Sequence, residues 1–148
     1  MVLGSATVGI LVNHFSPRGI PIFGKGEELQ LPLPPGVGAM EVEQARAMLD
    51  AKSAVFIDAR GPAEYANSHV PTALNLPPDA FAEKYPDLAE QVEAAGTVIV
   101  YCEGMECGDS ILVAERLREV FSGAVYVVER GWPSWVAAGY PVTSGVRP

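Results

Sequence analysis

Two cysteines separated by four residues are the side chains in this sequence best suited to covalent chemistry. Cys102 follows an apolar run at Thr97–Tyr101, and a helix is predicted to begin a few residues later, where Asp109 or Ser110 would cap it. A helix N-terminus presents unpaired backbone N–H groups and partial positive charge, which stabilise a thiolate relative to a thiol. Cys102 is therefore the candidate nucleophile, and an inert thiol buried at the end of a strand is the alternative.

The segment after Cys102 has the composition of a loop that could bind an anion. Gly104 and Gly108 give its backbone the freedom to curl around the sulfur, so that backbone N–H groups face the sulfur atom. The candidate loop residues are Glu103, Gly104, Met105, Glu106, Cys107, Gly108, Asp109 and Ser110.

Strand and helix patterns alternate along the chain after residue 36. Short apolar runs predict strands at residues 54–57, 73–76, 97–101 and 125–128. Helical spacing of apolar residues predicts helices at residues 40–49, 62–68, 86–95, 111–121 and 132–138. The alternation favours an α/β fold with a mainly parallel sheet flanked by helices on both faces. Ligands bind at the carboxyl ends of the strands in such sheets, where Asp58, Cys102 and Glu129 are expected to lie.

The composition is typical of one globular domain that does not bind nucleic acid. The 148 residues are 49% hydrophobic and 19% charged, which is sufficient for a buried core. The net charge of -8 repels phosphate backbones, so we expect no nucleic-acid partner. The two histidines, His14 and His69, lie far from both cysteines in the sequence, and a structural zinc site needs about four ligands, so we expect no metal.

Residues 1–36 are predicted to form a Pro/Gly-rich N-terminal arm, and residues 37–148 the domain. The prolines and glycines of the arm prevent a long helix or a central strand, although Leu29, Leu31 and Leu33 alternate as in an edge strand. The apolar start is too short for a membrane-spanning helix, which needs about 20 residues, and it lacks the basic residues of a secretory signal. We interpret the arm as a docking segment of a cytoplasmic protein, with membrane contact through the arm as an alternative.

Three segments of the domain resemble the signatures of the rhodanese (sulfurtransferase) superfamily. The first spans residues 57–65 (IDARGPAEY) and continues through residues 69–75 (HVPTALN). The second, residues 98–102, is similar to the strand that delivers that family's catalytic cysteine. The third comprises residues 126–132 (YVVERGW), Trp135 and residues 138–142 (AGYPV). Together they cover about residues 37 to 142, and their order implies a single rhodanese-like domain.

The resemblance implies a sulfurtransferase that needs neither a metal nor an organic cofactor. Cys102 would attack the outer sulfur of a small donor and become a persulfide, and the loop would cradle that sulfur with backbone N–H groups. The sulfur would then pass to a thiol, another nucleophile or an acceptor protein. Asp58 and Arg60 would support the strand end and the rim, Trp132 would wall the pocket, and His69 would belong to a structural turn.

The loop departs from the pattern of that superfamily in its charge. The familiar loop carries basic residues that suit anionic donors such as thiosulfate, whereas this loop carries Glu103, Glu106 and Asp109. Carboxylates oppose a nearby anion, so thiosulfate is expected to be a poor donor, unless these carboxylates point outward into solvent. No arginine lies between Cys102 and Arg116, which argues against the phosphate-gripping loop of the phosphatases that share the fold.

Cys107 leaves two further readings of the function open. A disulfide with Cys102 requires Cα atoms about 4.4–6.8 Å apart, which a four-residue spacer allows. Cys107 could then resolve a persulfide, protect Cys102 from over-oxidation, or form a dithiol redox pair with it. Alternatively, Cys107 only packs under the loop, and a rhodanese fold without turnover would be a binding module.

Overall fold

The computed structural model describes residues 32–104 and 107–146 of the chain. Within these ranges, the strands are β1 (Val37–Met40), β2 (Val55–Asp58), β3 (Leu74–Asn75), β4 (Thr97–Tyr101) and β5 (Ala124–Val128). The α-helices are α1 (Val42–Asp50), α2 (Pro62–Asn67), α3 (Phe81–Ala95), α4 (Asp109–Val120) and α5 (Gly131–Ala137). A short 3₁₀ turn at Pro78–Ala80 leads into α3.

The five strands form one sheet in the order β1-β5-β4-β2-β3, and every neighbouring pair is parallel. The predicted α/β fold with a parallel sheet is therefore confirmed. β4 occupies the centre of the sheet, so its end is flanked by β2 on one side and β5 on the other. Cys102 directly follows this central strand.

The two faces of the sheet are covered by different helices, as the sequence predicted. Successive side chains of a strand point to opposite faces. Val98 and Val100 of β4 accordingly pack in the cluster with α3 and α4, whereas Ile99 and Tyr101 pack in the cluster with α1, α2 and α5. All four of these β4 side chains are at most 2% exposed, so the strand that positions Cys102 is anchored on both faces.

The N-terminal edge strand was not predicted at its observed place. β1 lies at Val37–Met40, where the sequence suggested the start of the domain and of a helix, and the helix begins only at Val42. β1 has only four residues, one of which is a glycine, so it shows no alternation of apolar and polar side chains. A Cβ atom at Gly38 would lie 2.6 Å from the Tyr126 ring, so the glycine allows the ring to lie against β1. Of the suggested strand at residues 29–33, Leu29 and Leu31 lie outside the described residues, and Leu33 is in no strand.

Helix α3 begins five residues earlier than predicted. The sequence reading placed Pro86 in the first turn, where proline is best tolerated. Instead, the helix starts at Phe81 and includes Pro86. The missing N–H of Pro86 costs one helical hydrogen bond, and the burial of Phe81 and Val92 against the sheet holds both ends of the helix in place.

No helix in the described ranges is long and apolar enough to cross a membrane. The predicted arm lies outside those ranges except for residues 32–36.

Candidate active site

The carboxyl edge of the sheet brings the three predicted strand-end residues to one side of the molecule. Asp58 ends β2, Cys102 follows β4, and Glu129 follows β5. The backbone N–H of Glu129 donates to the carbonyl oxygen of Met40, which joins the ends of β5 and β1. Cys102 itself is only 1% exposed.

The sulfur of Cys102 is surrounded by oxygen atoms. Its Sγ lies 3.2 Å from Ser110 Oγ, 3.2 Å from the carbonyl oxygen of Cys107 and 3.6 Å from that of Gly104. Carbonyl oxygens accept a hydrogen bond from a thiol, whereas a hydroxyl group can also donate to a thiolate. Within residues 102–104 and 107–110, this sulfur thus contacts carbonyl acceptors and a hydroxyl rather than the expected backbone N–H groups. Met105 and Glu106 lie outside the described residues, so the expected N–H cradle stays a prediction.

Helix α4 begins directly beside the sulfur, at Asp109. The sequence suggested Asp109 or Ser110 as the capping residue, but that prediction was wrong. Gly108 occupies the cap position, and no side chain caps the helix. Ser110 is 4% exposed, and its hydroxyl is directed to Cys102 instead of to the helix backbone. A side chain expected to satisfy the helix thus contacts the candidate nucleophile.

Cys107 is a half-buried neutral thiol next to Cys102. It packs against the same apolar cluster as Cys102, and both cysteines are free. Burial and, secondly, a hydrogen bond with the Cys102 side chain raise the pKa of Cys107 to about 12. The Cys107 N–H donates to the Gly104 carbonyl oxygen at 3.1 Å, which closes the loop into a turn. The two cysteine side chains are therefore neighbours at this site.

A buried ion pair fixes the strand end next to the loop. Arg60 Nη2 lies 2.7 Å from Asp58 Oδ2, and Arg60 Nε lies 3.0 Å from Asp58 Oδ1, with Asp58 fully buried. Burial alone would lower the pKa of Arg60, but the hydrogen bonds and charge of Asp58 raise it above its ordinary value. The Tyr101 hydroxyl donates to Asp58 Oδ2 at 2.7 Å, and burial raises the pKa of Tyr101. These partners satisfy the buried carboxylate, as a group of this kind requires.

Arg60 also reaches the rim of the site. Its guanidinium carbon lies 4.3 Å from the centre of the Trp132 ring, and its Nη2 donates to the Ser68 carbonyl oxygen. Its Nη1 lies 3.5 Å from the Glu103 carboxylate, whose side chain is 61% exposed. Glu103 thus points outward into solvent beside a cation. Asp109 is half-buried at the start of α4.

The start of α5 packs directly on the backbone of Cys102. The Trp132 N–H donates to the Cys102 carbonyl oxygen at 2.7 Å. Gly131 has a positive φ of 54°, and a Cβ atom at this position would overlap the same carbonyl oxygen. Only glycine allows this approach, because it has no Cβ and adopts positive φ without strain.

Residues 41–138 match the family model of the Rhodanese-like domain. The chain belongs to this family.

The relatives of this rhodanese-like domain carry several activities. A tRNA uridine(34) hydroxylase from Salmonella arizonae is 38% identical over 71 residues, which are 46% of this chain and 20% of that protein. The chain thus spans about a fifth of this curated relative. A thiosulfate sulfurtransferase from Pseudomonas aeruginosa is similar in structure, with a TM-score of 0.61 and 26% identity over 74% of this chain and 21% of that one. A protein from Bacillus halodurans shares the fold, with a TM-score of 0.64 and 16% identity over 72% of this chain and 77% of that one.

In this rhodanese-like domain, the predicted residues lie at the same sheet edge but contribute differently. Cys102, Gly104, Cys107 and Ser110 meet at the sulfur, whereas Asp58, Arg60 and Trp132 form the adjoining support. His69 stacks on Tyr65 and pairs with Thr143 through two backbone hydrogen bonds, so it lies in an isolated antiparallel β-bridge and not in the predicted turn. Within the described ranges, no group of three or more His, Cys, Asp or Glu side chains could hold a metal ion.

Two contributions to the site were missed from the sequence. Gly131 was interpreted only as part of the third signature, and Tyr101 only as the last residue of a strand. The signal for Gly131 was its place in the third signature, directly before Trp132. The signal for Tyr101 was a polar hydroxyl at the end of an otherwise apolar buried strand.

Proposed function

We propose that this rhodanese-like domain is a sulfurtransferase that carries sulfane sulfur as a persulfide on Cys102. The observation that carries the proposal is the placement of the Cys102 sulfur at the end of the central strand, 3.2 Å from the Ser110 hydroxyl at the start of α4. The sulfur thus lies at the carboxyl end of the central strand, where ligands bind in parallel α/β sheets. The similarity to a protein named thiosulfate sulfurtransferase supports the same reaction class.

The reaction consists of two displacements at sulfur. In the first, the Cys102 thiolate attacks the outer sulfur of a donor persulfide, the donor S–S bond breaks, and the donor leaves as a thiolate. Cys102 then carries one additional sulfur. In the second, an acceptor thiolate attacks that outer sulfur, the bond between the two sulfurs of the Cys102 persulfide breaks, and Cys102 returns as a thiolate. No electrons are gained or lost overall, because one persulfide replaces another.

Ser110 has the most direct role after Cys102. Its hydroxyl can accept from the resting thiol and rotate to donate to the thiolate. A hydrogen bond to a charged group contributes about 1.5–3 kcal/mol, so Ser110 lowers the barrier of the second displacement, in which the Cys102 thiolate is the leaving group. Asp58, Arg60 and Trp132 act through position, because they hold the strand end and the rim rather than the sulfur.

We propose a persulfide of low negative charge as the donor and a thiol as the acceptor. Glu103 carries a negative charge at the rim beside Arg60, and the net charge of -8 opposes dianions such as thiosulfate. The same charge opposes a tRNA, so the tRNA activity named for the Salmonella arizonae relative is not part of the proposal.

Intact mass spectrometry after treatment with glutathione persulfide tests the function. The wild-type protein is expected to gain one sulfur atom, and Cys102→Ser is expected to gain none. Ser110→Ala is expected to slow transfer of that sulfur to an added thiol by about tenfold or more, since it removes the hydrogen bond to the departing Cys102 sulfur. Ser53→Ala is the matched control, because Ser53 is exposed and its hydroxyl contacts only a backbone carbonyl at the end of α1. If no sulfur is gained, the domain is a binding module rather than a transferase.

A further inference from the structure

We propose that Cys107 is a resolving cysteine, which discharges the Cys102 persulfide as hydrogen sulfide and makes the domain a sulfane-sulfur reductase as well as a transferase. This inference rests on the proposed function, because Cys102 must first take up sulfur. In the reductase activity, the attacking thiol is Cys107, which belongs to the same loop as Cys102, and not an external thiol.

The geometry of the loop places Cys107 against the nucleophile. The chain has two cysteines, and they come together at one site. The carbonyl oxygen of Cys107 lies 3.2 Å from Cys102 Sγ, and the Cys107 side chain is hydrogen bonded to that of Cys102. The turn closed by the Cys107 N–H and the Gly104 carbonyl holds this arrangement. A side chain that merely fills space under the loop would not require a thiol at this point.

The burial of Cys102 determines which sulfur of its persulfide each acceptor attacks. Cys102 is 1% exposed, and in the persulfide the outer sulfur covers its Sγ, so an external thiol reaches the outer sulfur first. Attack on the outer sulfur transfers it. Cys107 already lies beside the inner sulfur, Cys102 Sγ, and attack there releases the outer sulfur. An intramolecular attack of this kind benefits from effective concentrations on the order of 10⁵ M or more when the groups are well oriented.

The chemistry of the discharge is balanced without an external oxidant. A new bond forms between Cys107 Sγ and Cys102 Sγ, and the bond from Cys102 Sγ to the outer sulfur breaks. The outer sulfur leaves with that electron pair as hydrosulfide and takes up the proton that Cys107 loses. The sulfane sulfur is thereby reduced to hydrogen sulfide, and the two cysteines are oxidised to a disulfide. A dithiol reductant is then needed to restore both thiols.

The raised pKa of Cys107 is consistent with sulfur uptake by Cys102 first and discharge by Cys107 second. With a pKa near 12, Cys107 is a thiol at neutral pH and does not compete with Cys102 for the incoming donor. Its proton is available for the departing hydrosulfide.

A single-discharge experiment on the full chain tests the inference. The protein is loaded with inorganic polysulfide, desalted under anaerobic conditions and incubated without added thiol. The wild-type protein is expected to lose the added sulfur, to release one equivalent of sulfide per chain and to end two hydrogens lighter than the reduced protein. Cys107→Ser and Cys107→Ala are both expected to retain the added sulfur about tenfold longer or more.

The outcomes separate this inference from the proposed function. If the wild-type protein and both Cys107 variants take up sulfur and lose it at equal rates with no disulfide, the inference is overturned while sulfur transfer stands. If neither the wild-type protein nor the variants take up sulfur, persulfide formation on Cys102 fails, and the inference fails with it. Uptake by either Cys107 variant also shows that this variant has folded.

Discussion

The backbone N–H of Trp132 donates a 2.7 Å hydrogen bond to the carbonyl oxygen of Cys102. The two residues are 30 positions apart in sequence, and the bond joins the first turn of α5 to the end of the central strand. Because Gly131 lies against the same carbonyl group, the backbone of Cys102 is fixed from the side opposite to α4. The nucleophile is thus oriented by main-chain contacts as well as by the residues around its sulfur.

Gly131→Ala is expected to displace the Cys102 backbone. The new Cβ would overlap the Cys102 carbonyl oxygen, so the strand end or α5 must move, and a shift of about 1 Å at a reacting group can lower its rate about 100-fold. Gly139→Ala is the matched control: φ is 68° there, but no atom lies within 4 Å of the added Cβ. Both variants incur about 1–2 kcal/mol for positive φ. Thermal unfolding and sulfur uptake check the result, and equal uptake by the two variants would contradict it.

Asp58→Ala is expected to destabilise the fold by about 3–5 kcal/mol, because it leaves the buried Arg60 guanidinium without its counter-charge and the Tyr101 hydroxyl without its acceptor. Asp50→Ala removes the same side chain from the exposed pair with Arg46, and we expect little change. Urea unfolding of both variants measures the difference. The prediction fails if the two substitutions lower the free energy of unfolding by similar amounts.

Glu103→Gln is expected to improve thiosulfate as a donor. Removal of one negative charge at the rim, where Glu103 lies beside Arg60, reduces the repulsion of a dianion, and we expect kcat/KM for thiosulfate to rise about twofold to fivefold. The gain should diminish at high salt, because salt screens exposed charges. Glu119→Gln is the control: Glu119 is exposed and lies near the C-terminal end of α4, so its substitution removes the same charge far from the site. An equal gain in both variants would show that net charge, and not the position of Glu103, limits this donor.

Alkylation of Cys107 is expected to be slow at neutral pH and to accelerate steadily with pH. Only the thiolate reacts, and with a raised pKa the thiolate fraction increases about tenfold per pH unit up to a pKa near 12. Iodoacetamide labelling of Cys102→Ser isolates Cys107, whose burial is the larger cause of the shift. Labelling in denaturant gives the rate of an ordinary thiol. A folded-state rate that levels off below about pH 9 would show that the pKa is not raised.

The strong elements of the fold could be predicted because their patterns are local. Thr97–Tyr101 was predicted residue for residue, and the strand that ends at Asp58 was predicted to within one residue. Both are continuous apolar runs, which a buried parallel strand requires. Alternation of such runs with helical periodicity was then sufficient for a parallel sheet, and a parallel sheet was sufficient to place Asp58 and Cys102 at one edge.

The parts of the fold and of the site that were not predicted depend on contacts between distant residues, which no local sequence pattern encodes. β1 is too short to show alternation, and its partner β5 lies far away in sequence. Ser110 has the residue type of a helix cap, and only the position of the neighbouring sulfur reveals its actual contact. The bond from Trp132 to Cys102 joins two backbones, so the identities of the side chains carry little information about it.

The pairing of β1 with β5 has a consequence for the nascent chain during translation. Val37 pairs with Val125, and Cys102 receives its backbone hydrogen bond from Trp132, so neither can be in place until the segment through residue 132 has left the ribosome. Chains are synthesised at about 5–20 residues per second, and contacts between distant residues form late. The surroundings of Cys102 are therefore complete only when translation has delivered the helix that holds its backbone.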